Sequence, residues 1–206
     1  MTREEEARII RRVLDGDTDA FEWIVTEYQR NVYNLALRMV RNSEDAQDMA
    51  QEAFIKAYSS LSGFRGDSRF SVWLYRIVSN VCLDFLRKQG KNQTVSLTAD
   101  EDDGDDAQLD IADSSASPET LLERKMTREA VARGLDTLSP DMRQILLLRE
   151  MQGLSYDEIG QTLGLEAGTV KSRIFRARKK LCAFLLADGN IPDLAASNRN
   201  GGSDAP

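Results

Sequence analysis

The segment from Ser155 to Lys180 places the tightest constraint on the fold, because it combines two helices with a short turn. Ser155 followed by Glu158 forms a capping box, in which each side chain bonds the other residue's backbone amide at a helix start. Gly164 suits the left-handed conformation that ends a helix. Apolar side chains then recur where two short helices must pack together, at Ile159, Leu163, Leu165, Val170 and Ile174. This pattern predicts a helix-turn-helix.

The second helix of this motif carries a basic face that is rich in hydrogen-bond donors, formed by Lys171, Ser172, Arg173, Arg176, Arg178 and Lys179. Arginine and lysine can bond guanine in the major groove, and a helix amino terminus favours phosphate. A solvated basic face on an ordinary amphipathic helix is the alternative. The cap, the turn glycine and the apolar spacing together favour a DNA-reading helix.

The same residues carry a family resemblance. The run from Gly153 to Ile159, followed by the run from Gly168 to Arg178, resembles region 4 of the extracytoplasmic-function (ECF) sigma factors, a subfamily of the sigma-70 type. Region 4 recognises the minus-35 promoter element. The resemblance implies contacts to that element from Lys171, Ser172, Arg173, Phe175 and Arg176, with backbone contacts from Arg149, Tyr156 and Thr169.

The amino-terminal part, residues 19–90, shows apolar residues at helical spacing, interrupted by short polar breaks. We expect one helix to start after Ser43 as its N-cap and another to end near Gly90. Between them lies a glycine-punctuated loop from Ser62 to Ser68. These features predict a compact helical domain.

Aromatic and basic residues are interleaved in and after this loop, as expected of a surface that holds single-stranded bases. From the residues alone, most of the aromatics belong in a core, whereas the glycine-flanked Phe64 should be exposed. The run from Phe64 to Ser68, with Trp73 to Ile77 and Asn80, also resembles region 2 of the ECF sigma factors. The resemblance implies minus-10 DNA contacts from Phe64, Arg65, Arg69, Trp73, Arg76 and Asn80.

The segment from Asp45 to Tyr58 resembles the part of region 2 that docks on core RNA polymerase. The resemblance assigns this role to Asp45, Asp48, Gln51, Glu52 and Lys56. Several of these side chains fall on one face of a helix. Without the resemblance, a solvated charged surface would be the ordinary interpretation of such a face.

The segment at residues 91–118 is expected to be a flexible acidic linker. Between residues 100 and 113 it contains eight carboxylates and no base. Because the whole chain has a net charge of -7, the residues outside this run carry a slight positive charge. From Glu119 the helical pattern returns, with Leu122, Met126 and Leu135 on one stripe. We therefore expect an all-α protein with region 2 at 19–90, region 4 at 119–186 and a disordered tail at 187–206.

Composition narrows the possible functions. The two cysteines, Cys82 and Cys182, lie in apolar helical patterns, so we expect both to be buried, reduced thiols. Because the chain also has no histidine, we expect it to bind no metal or cofactor and to have no enzymatic activity. The charged amino terminus argues against a secretory signal and for a cytoplasmic protein without membrane insertion. The resemblance implies an alternative sigma factor for a stress or envelope response, with an anti-sigma partner of a kind often tethered to the membrane.

Two other functions stay open at this point. A dimeric helix-turn-helix repressor or activator would explain the carboxyl-terminal half alone. A nuclease could use the acidic cluster to bind metal, although an unpatterned acidic run lacks fixed ligand geometry.

Overall fold

The computed structural model describes residues 2–93 and 118–188, and the structure in these two ranges is helical without strands. The α-helices in them are α1 (Arg3–Leu14), α2 (Phe21–Val40), α3 (Ser43–Ser60), α4 (Phe70–Gln93), α5 (Pro118–Asp136), α6 (Pro140–Glu150), α7 (Tyr156–Leu163) and α8 (Ala167–Asp188). The prediction of an all-α fold is confirmed. The expected acidic linker and tail lie almost wholly outside the described residues, and α4 runs three residues past Gly90 to Gln93.

Helices α1 to α4 form the amino-terminal bundle, in which α2 packs against both α3 and α4. The apolar stripe of α2 supplies the centre of its core, since Ile24, Val32, Leu35 and Met39 are fully buried. Burial of such side chains contributes about 1.5 to 3 kcal/mol each, so this stripe is the main apolar support of the bundle.

Helix α1 was not predicted, because the charged run at its start obscured its apolar face. Thr2 and Glu5 form a capping box there, and Ile9, Ile10 and Val13 are buried against the bundle. The cap and the spacing were both present in the sequence.

At α3 the N-cap is Asn42, one residue before the predicted Ser43, and its side chain accepts a hydrogen bond from the Asp45 amide at 2.9 Å.

Helices α5 to α8 form the carboxyl-terminal unit, in which α8 packs against α5, α6 and α7. Leu135 on α5 is buried, as expected. Leu122 and Met126 are exposed, so their assignment to the core was wrong.

The two units pack against each other in this structure. Helix α6 contacts α2 and α4, helix α7 contacts α4, and the buried apolar residues of both units form one connected cluster. The sequence patterns predicted each unit but not this contact, because pairing between distant helices leaves no periodic signal.

The cysteines differ in their surroundings. Cys82 is buried, and burial raises the pKa of its thiol to about 12, whereas Cys182 is exposed and the prediction for it was wrong.

Among the described residues, no helix is both long and apolar enough to cross a membrane. That part of the chain also holds no cluster of three or more side chains suited to bind a metal ion.

Candidate nucleic-acid interface

Helices α7 and α8 form the predicted helix-turn-helix. Ser155 Oγ accepts from the Glu158 amide at 3.2 Å, and Glu158 Oε2 accepts from the Ser155 amide at 2.8 Å. Gly164 ends α7 with a φ of 65°. A Cβ added at Gly160 would lie 2.6 Å from the carbonyl oxygen of Leu165, so glycine is needed for the close approach at the turn.

The outward face of α8 bears most of the predicted minus-35 residues. Lys171, Ser172, Phe175 and Arg176 are exposed, and Phe175 has 67% of its surface in solvent. Thr169 and Arg173 are partly buried at the edges of this face.

Two hydrogen bonds order this face. Ser172 Oγ donates to the carbonyl oxygen of Thr169 at 2.9 Å, and Arg176 Nε donates to that of Ser172 at 3.3 Å. The second bond holds the Arg176 side chain along the helix, with its exposed guanidinium beside Ser172.

Arg149 and Tyr156 form a pair at the edge of the motif. The guanidinium carbon of Arg149 lies 4.9 Å from the ring centre of Tyr156, within cation–π range, and Arg149 Nη1 donates to the Leu154 carbonyl at 2.8 Å. Arg178, also on the predicted basic face, is exposed, and its Nε donates to Glu150 at 2.9 Å in a half-exposed pair.

The loop before α4 is organised around an aromatic cluster. The ring centre of Phe64 lies 5.5 Å from that of Phe70 and 5.4 Å from that of Trp73. Phe64 is only half-buried, so the prediction of a freely exposed ring was partly wrong: its loop folds back onto α4. Trp73 is buried with 9% exposure, and in this arrangement its ring supports Phe64 and offers little surface to DNA.

Arg65 and Arg76 are exposed beside this cluster, as a surface for single-stranded DNA requires, and Asn80 is exposed further along α4. Arg69 is exposed but already paired, since its Nη2 lies 2.8 Å from Glu158 Oε1 on α7. Of the predicted minus-10 residues, the structure brings Phe64, Arg65, Trp73 and Arg76 to the wall of one cleft of 270 Å³. Asn80 lies on α4 and does not line this cleft.

The predicted polymerase-binding residues follow α3. Asp48, Gln51 and Lys56 are exposed, Asp45 and Glu52 are half-exposed, and Glu52 pairs with Lys56 at 2.6 Å. Burial, together with the charges of Asp48 and Glu44, raises the pKa of Asp45. The charges of Asp48 and Glu44 make the smaller contribution to this rise, and a basic partner surface would oppose their repulsion.

Sequence reasoning missed four residues that join the two units: Arg41, Asp136, Arg143 and, in its interdomain role, Glu158. Glu158 was visible only as a capping residue. Arg143 lies beside the polar Gln144 in α6, and nothing in the local pattern marked it as a contact between the units.

Comparison with known proteins agrees with this geometry. Residues 24–92 match the family described as Sigma-70 region 2, and residues 128–181 match the family described as Sigma-70, region 4. The chain is 41% identical to the RNA polymerase sigma-H factor of Pseudomonas aeruginosa over 185 residues, covering 88% of this chain and 94% of that protein. It is also 41% identical to the ECF RNA polymerase sigma-E factor of Escherichia coli K12 over 177 residues, covering 84% and 90%.

Solved structures show the same fold. CnrH, in complex with the cytosolic domain of CnrY, matches with a TM-score of 0.64 at 25% identity over 89% of this chain and 99% of that one. The sigma factor RpoE of Bartonella quintana, in complex with the anti-sigma factor NepR, matches with a TM-score of 0.60 at 22% identity over 82% and 98%. The chain therefore belongs to the sigma-70 family, in its extracytoplasmic-function group, and is an alternative sigma factor that directs RNA polymerase to promoters.

Proposed function

We propose that the chain divides promoter recognition between its two units, with α8 reading the minus-35 element and the Phe64 loop taking up bases of the minus-10 element. The observation that carries this proposal is the presence of two separate DNA-compatible surfaces in one chain. One is a helix-turn-helix with exposed Lys171 and Arg176, suited to a major groove. The other is an aromatic cleft flanked by Arg65 and Arg76, suited to unstacked bases.

The acidic face of α3 supplies the third part of the proposal, the docking of core RNA polymerase. Asp48 is exposed, and the negative charges of Asp48 and Glu44 add to the rise in the pKa of Asp45 that burial causes. A basic polymerase surface would neutralise this face, and charge pairing of that kind sets the orientation of partners more than their affinity.

Docking on polymerase also explains why two DNA-binding surfaces of low affinity are enough for promoter recognition. Each surface offers few direct contacts, but a partner that holds both units in register turns the second contact into an intramolecular event. In this proposal the chain positions and opens DNA without catalysing bond chemistry, and polymerase supplies the catalysis.

The cellular setting follows from the same assignment. We place the protein in the cytoplasm, where polymerase and promoter DNA are found, and in a stress or envelope response. CnrH was solved with the cytosolic domain of CnrY, and the Bartonella RpoE was solved with NepR, which is named an anti-sigma factor. An anti-sigma factor, of the soluble or the membrane-anchored kind, is accordingly the proposed antagonist of this chain.

Hydroxyl-radical footprinting tests the proposal directly. Core polymerase with the chain should protect two DNA patches upstream of the start site, one at minus-35 and one at minus-10, and neither component alone should do so. A palindromic footprint produced by the chain alone would instead identify a dimeric repressor or activator. Metal-dependent cleavage of the DNA would identify a nuclease.

A further inference from the structure

Helix α1 (Arg3–Leu14) lies outside the part of the chain that matches Sigma-70 region 2, which begins at residue 24. Its buried apolar side chains fasten it to the bundle. Two of its polar side chains, Arg3 and Glu6, make contacts that lead to the Phe64 loop (residues 62–68). These contacts give α1 a connection to the surface proposed to take up the minus-10 bases.

Arg3 reaches from the first turn of α1 to the Phe64 loop. Its Nη2 donates a hydrogen bond to the main-chain carbonyl of Gly66 at 3.3 Å, across 63 positions of the sequence. Gly66 has a left-handed φ of 76°, which glycine adopts at little cost, and it lines the minus-10 cleft. The bond from Arg3 therefore restrains the loop at the residue where its backbone bends.

Glu6 makes a second link to the loop through a buried tyrosine. The hydroxyl of Tyr28 on α2 donates a hydrogen bond to Glu6 Oε1. The ring centre of Tyr28 lies 5.8 Å from that of Phe70, the first residue of α4. Phe70 in turn lies 5.5 Å from Phe64, so the Glu6 carboxylate is connected to the Phe64 ring through two aromatic side chains.

The Tyr28 hydroxyl serves this link as a hydrogen-bond donor. Burial, together with the hydrogen bond and charge of Glu6, raises the pKa of Tyr28 above its ordinary value, so the phenol keeps its proton. A buried phenol needs an acceptor, and Glu6 supplies it. Loss of the Glu6 carboxylate would therefore leave a buried hydroxyl unpaired on the ring that packs against Phe70.

The Phe64 loop has few contacts of its own to hold it. Most of its residues are exposed, and nothing lies within 4 Å of a Cβ added at Gly63 or Gly66. A loop that is held in its binding conformation loses less conformational entropy when a base binds to it. Restraint from a neighbouring helix would therefore favour uptake of a base.

We infer that α1 is a positioning element for minus-10 recognition: Arg3 and Glu6 hold the Phe64 loop in the conformation that accepts an unstacked base. The inference rests on the proposed function for the role of the loop. Arg3 acts through the carbonyl of Gly66, and Glu6 acts through the buried aromatic side chains. Neither residue is assigned a contact with the base itself.

Each link can be broken by a single substitution. Arg3→Ala removes the donor to Gly66 at an exposed position. Glu6→Ala removes the acceptor of Tyr28, whereas Glu6→Gln keeps an amide oxygen that can accept the same hydrogen bond. Arg11→Ala is the matched control, because it removes an exposed arginine from the last turn of the same helix.

Fluorescence of Trp73 reports whether the loop is held. The chain has two tryptophans, and Trp23 is exposed, so Trp23→Phe leaves Trp73 as the single tryptophan. Trp73 is buried, and its ring centre lies 5.4 Å from that of Phe64. Loosening of the loop should therefore make Trp73 more accessible to a quencher in solution.

The four variants are compared in the Trp23→Phe background by acrylamide quenching, with helicity followed by circular dichroism. Arg3→Ala and Glu6→Ala should each raise the quenching constant about twofold or more, because a locally opened segment exposes what it covers. Glu6→Gln and Arg11→Ala should leave it unchanged. A rise in Glu6→Gln equal to that in Glu6→Ala would contradict the link through the tyrosine hydroxyl.

Promoter opening separates a positioning role from a merely structural one. It is measured by permanganate reactivity with core polymerase, on a promoter that the unsubstituted chain opens. Arg3→Ala should reduce opening about threefold or more and spare closed-complex affinity, since only chains with a held loop are competent to open DNA. In the Phe64→Ala background, Arg3→Ala should have no further effect, because it acts through the same loop.

Unchanged quenching in both Arg3→Ala and Glu6→Ala would overturn the inference. A loss of opening from Arg3→Ala that is equal with and without Phe64 would overturn it as well, because that result indicates general destabilisation. The quenching measurement uses neither DNA nor polymerase, so its outcome is separate from that of the promoter footprint. If Phe64→Ala leaves opening unchanged, the proposed role of the loop fails, even where quenching shows that α1 holds it.

Discussion

Arg143 of α6 donates a hydrogen bond from Nη1 to the main-chain carbonyl of Met39, 2.8 Å away at the end of α2. The same side chain donates from Nε to the carbonyl of Leu135 at 3.1 Å, so one guanidinium ties together helices of both units. Burial lowers the pKa of Arg143, and the carboxylate of Asp136 acts against that change. The two regions of this sigma factor are thus joined by charge-assisted bonds to helix ends as well as by apolar packing.

Gly160→Ala should destabilise the helix-turn-helix. The new Cβ would lie 2.6 Å from the Leu165 carbonyl, a main-chain atom that cannot move without opening the turn. We expect a loss of about 1 to 3 kcal/mol in the free energy of unfolding, measured in urea. Gly168→Ala is the control, because nothing lies within 4 Å of its added Cβ and its helix should tolerate alanine. Equal stability of the two variants would refute the close approach.

Arg176→Ala should weaken minus-35 recognition. Loss of one base contact costs about 1 to 3 kcal/mol, measured as the affinity of the holoenzyme for a promoter duplex at fixed salt. Arg178→Ala provides the comparison on the same helix, since its guanidinium is already paired with Glu150. If Arg178→Ala proved the more harmful of the two for binding, the assignment of the reading face would be wrong.

Asp48→Arg should impair binding to core polymerase, because it reverses charge in the centre of the exposed acidic face of α3. Fluorescence titration of labelled chain with core enzyme measures the effect. Glu22→Arg makes the same charge change at an exposed position of α2 and should have much less effect. Equal losses in both variants would indicate a general electrostatic effect with no docking face.

Phe64→Ala should spare closed-complex formation and impair promoter opening, because the ring is proposed to hold an unstacked base. Permanganate reactivity of thymines near the start site measures opening. A promoter with a pre-opened bubble should restore much of the lost activity. Because Phe64 packs on Phe70 and Trp73, urea unfolding is measured alongside, and a defect that persists on the bubble would point to misfolding.

The stabilising role of Glu158 should depend on pH. Burial acts to raise the pKa of this carboxyl, but hydrogen bonds from Ser155 and Arg69 outweigh it and hold the pKa below 4.5. Its contribution to folding is therefore fully present above about pH 4.5 and is lost as the pH falls through the lowered value. The difference in melting temperature between the unsubstituted chain and Glu158→Gln should shrink in that acid range. A difference that grew on acidification would contradict the pairing.

Local patterns predicted the helices and the helix-turn-helix well, because caps, turn glycines and apolar spacing act over short stretches. Ser155, Glu158 and Gly164 have the roles that their spacing indicated. The site was less predictable wherever it depends on contacts between distant elements. Phe64 and Trp73 pack together through the return of a loop onto α4, and Arg69 meets a carboxylate 89 positions away. The spacing of apolar residues in the sequence does not encode contacts between elements so far apart in the chain.

Run-off transcription measures whether this chain directs core RNA polymerase to promoters. Core RNA polymerase is incubated with a library of promoter fragments, with and without this chain, and the transcripts are sequenced. New transcripts with defined starts are expected only when the chain is present, from fragments that share two upstream motifs at one fixed spacing. If the transcripts are the same with and without the chain, it does not direct initiation.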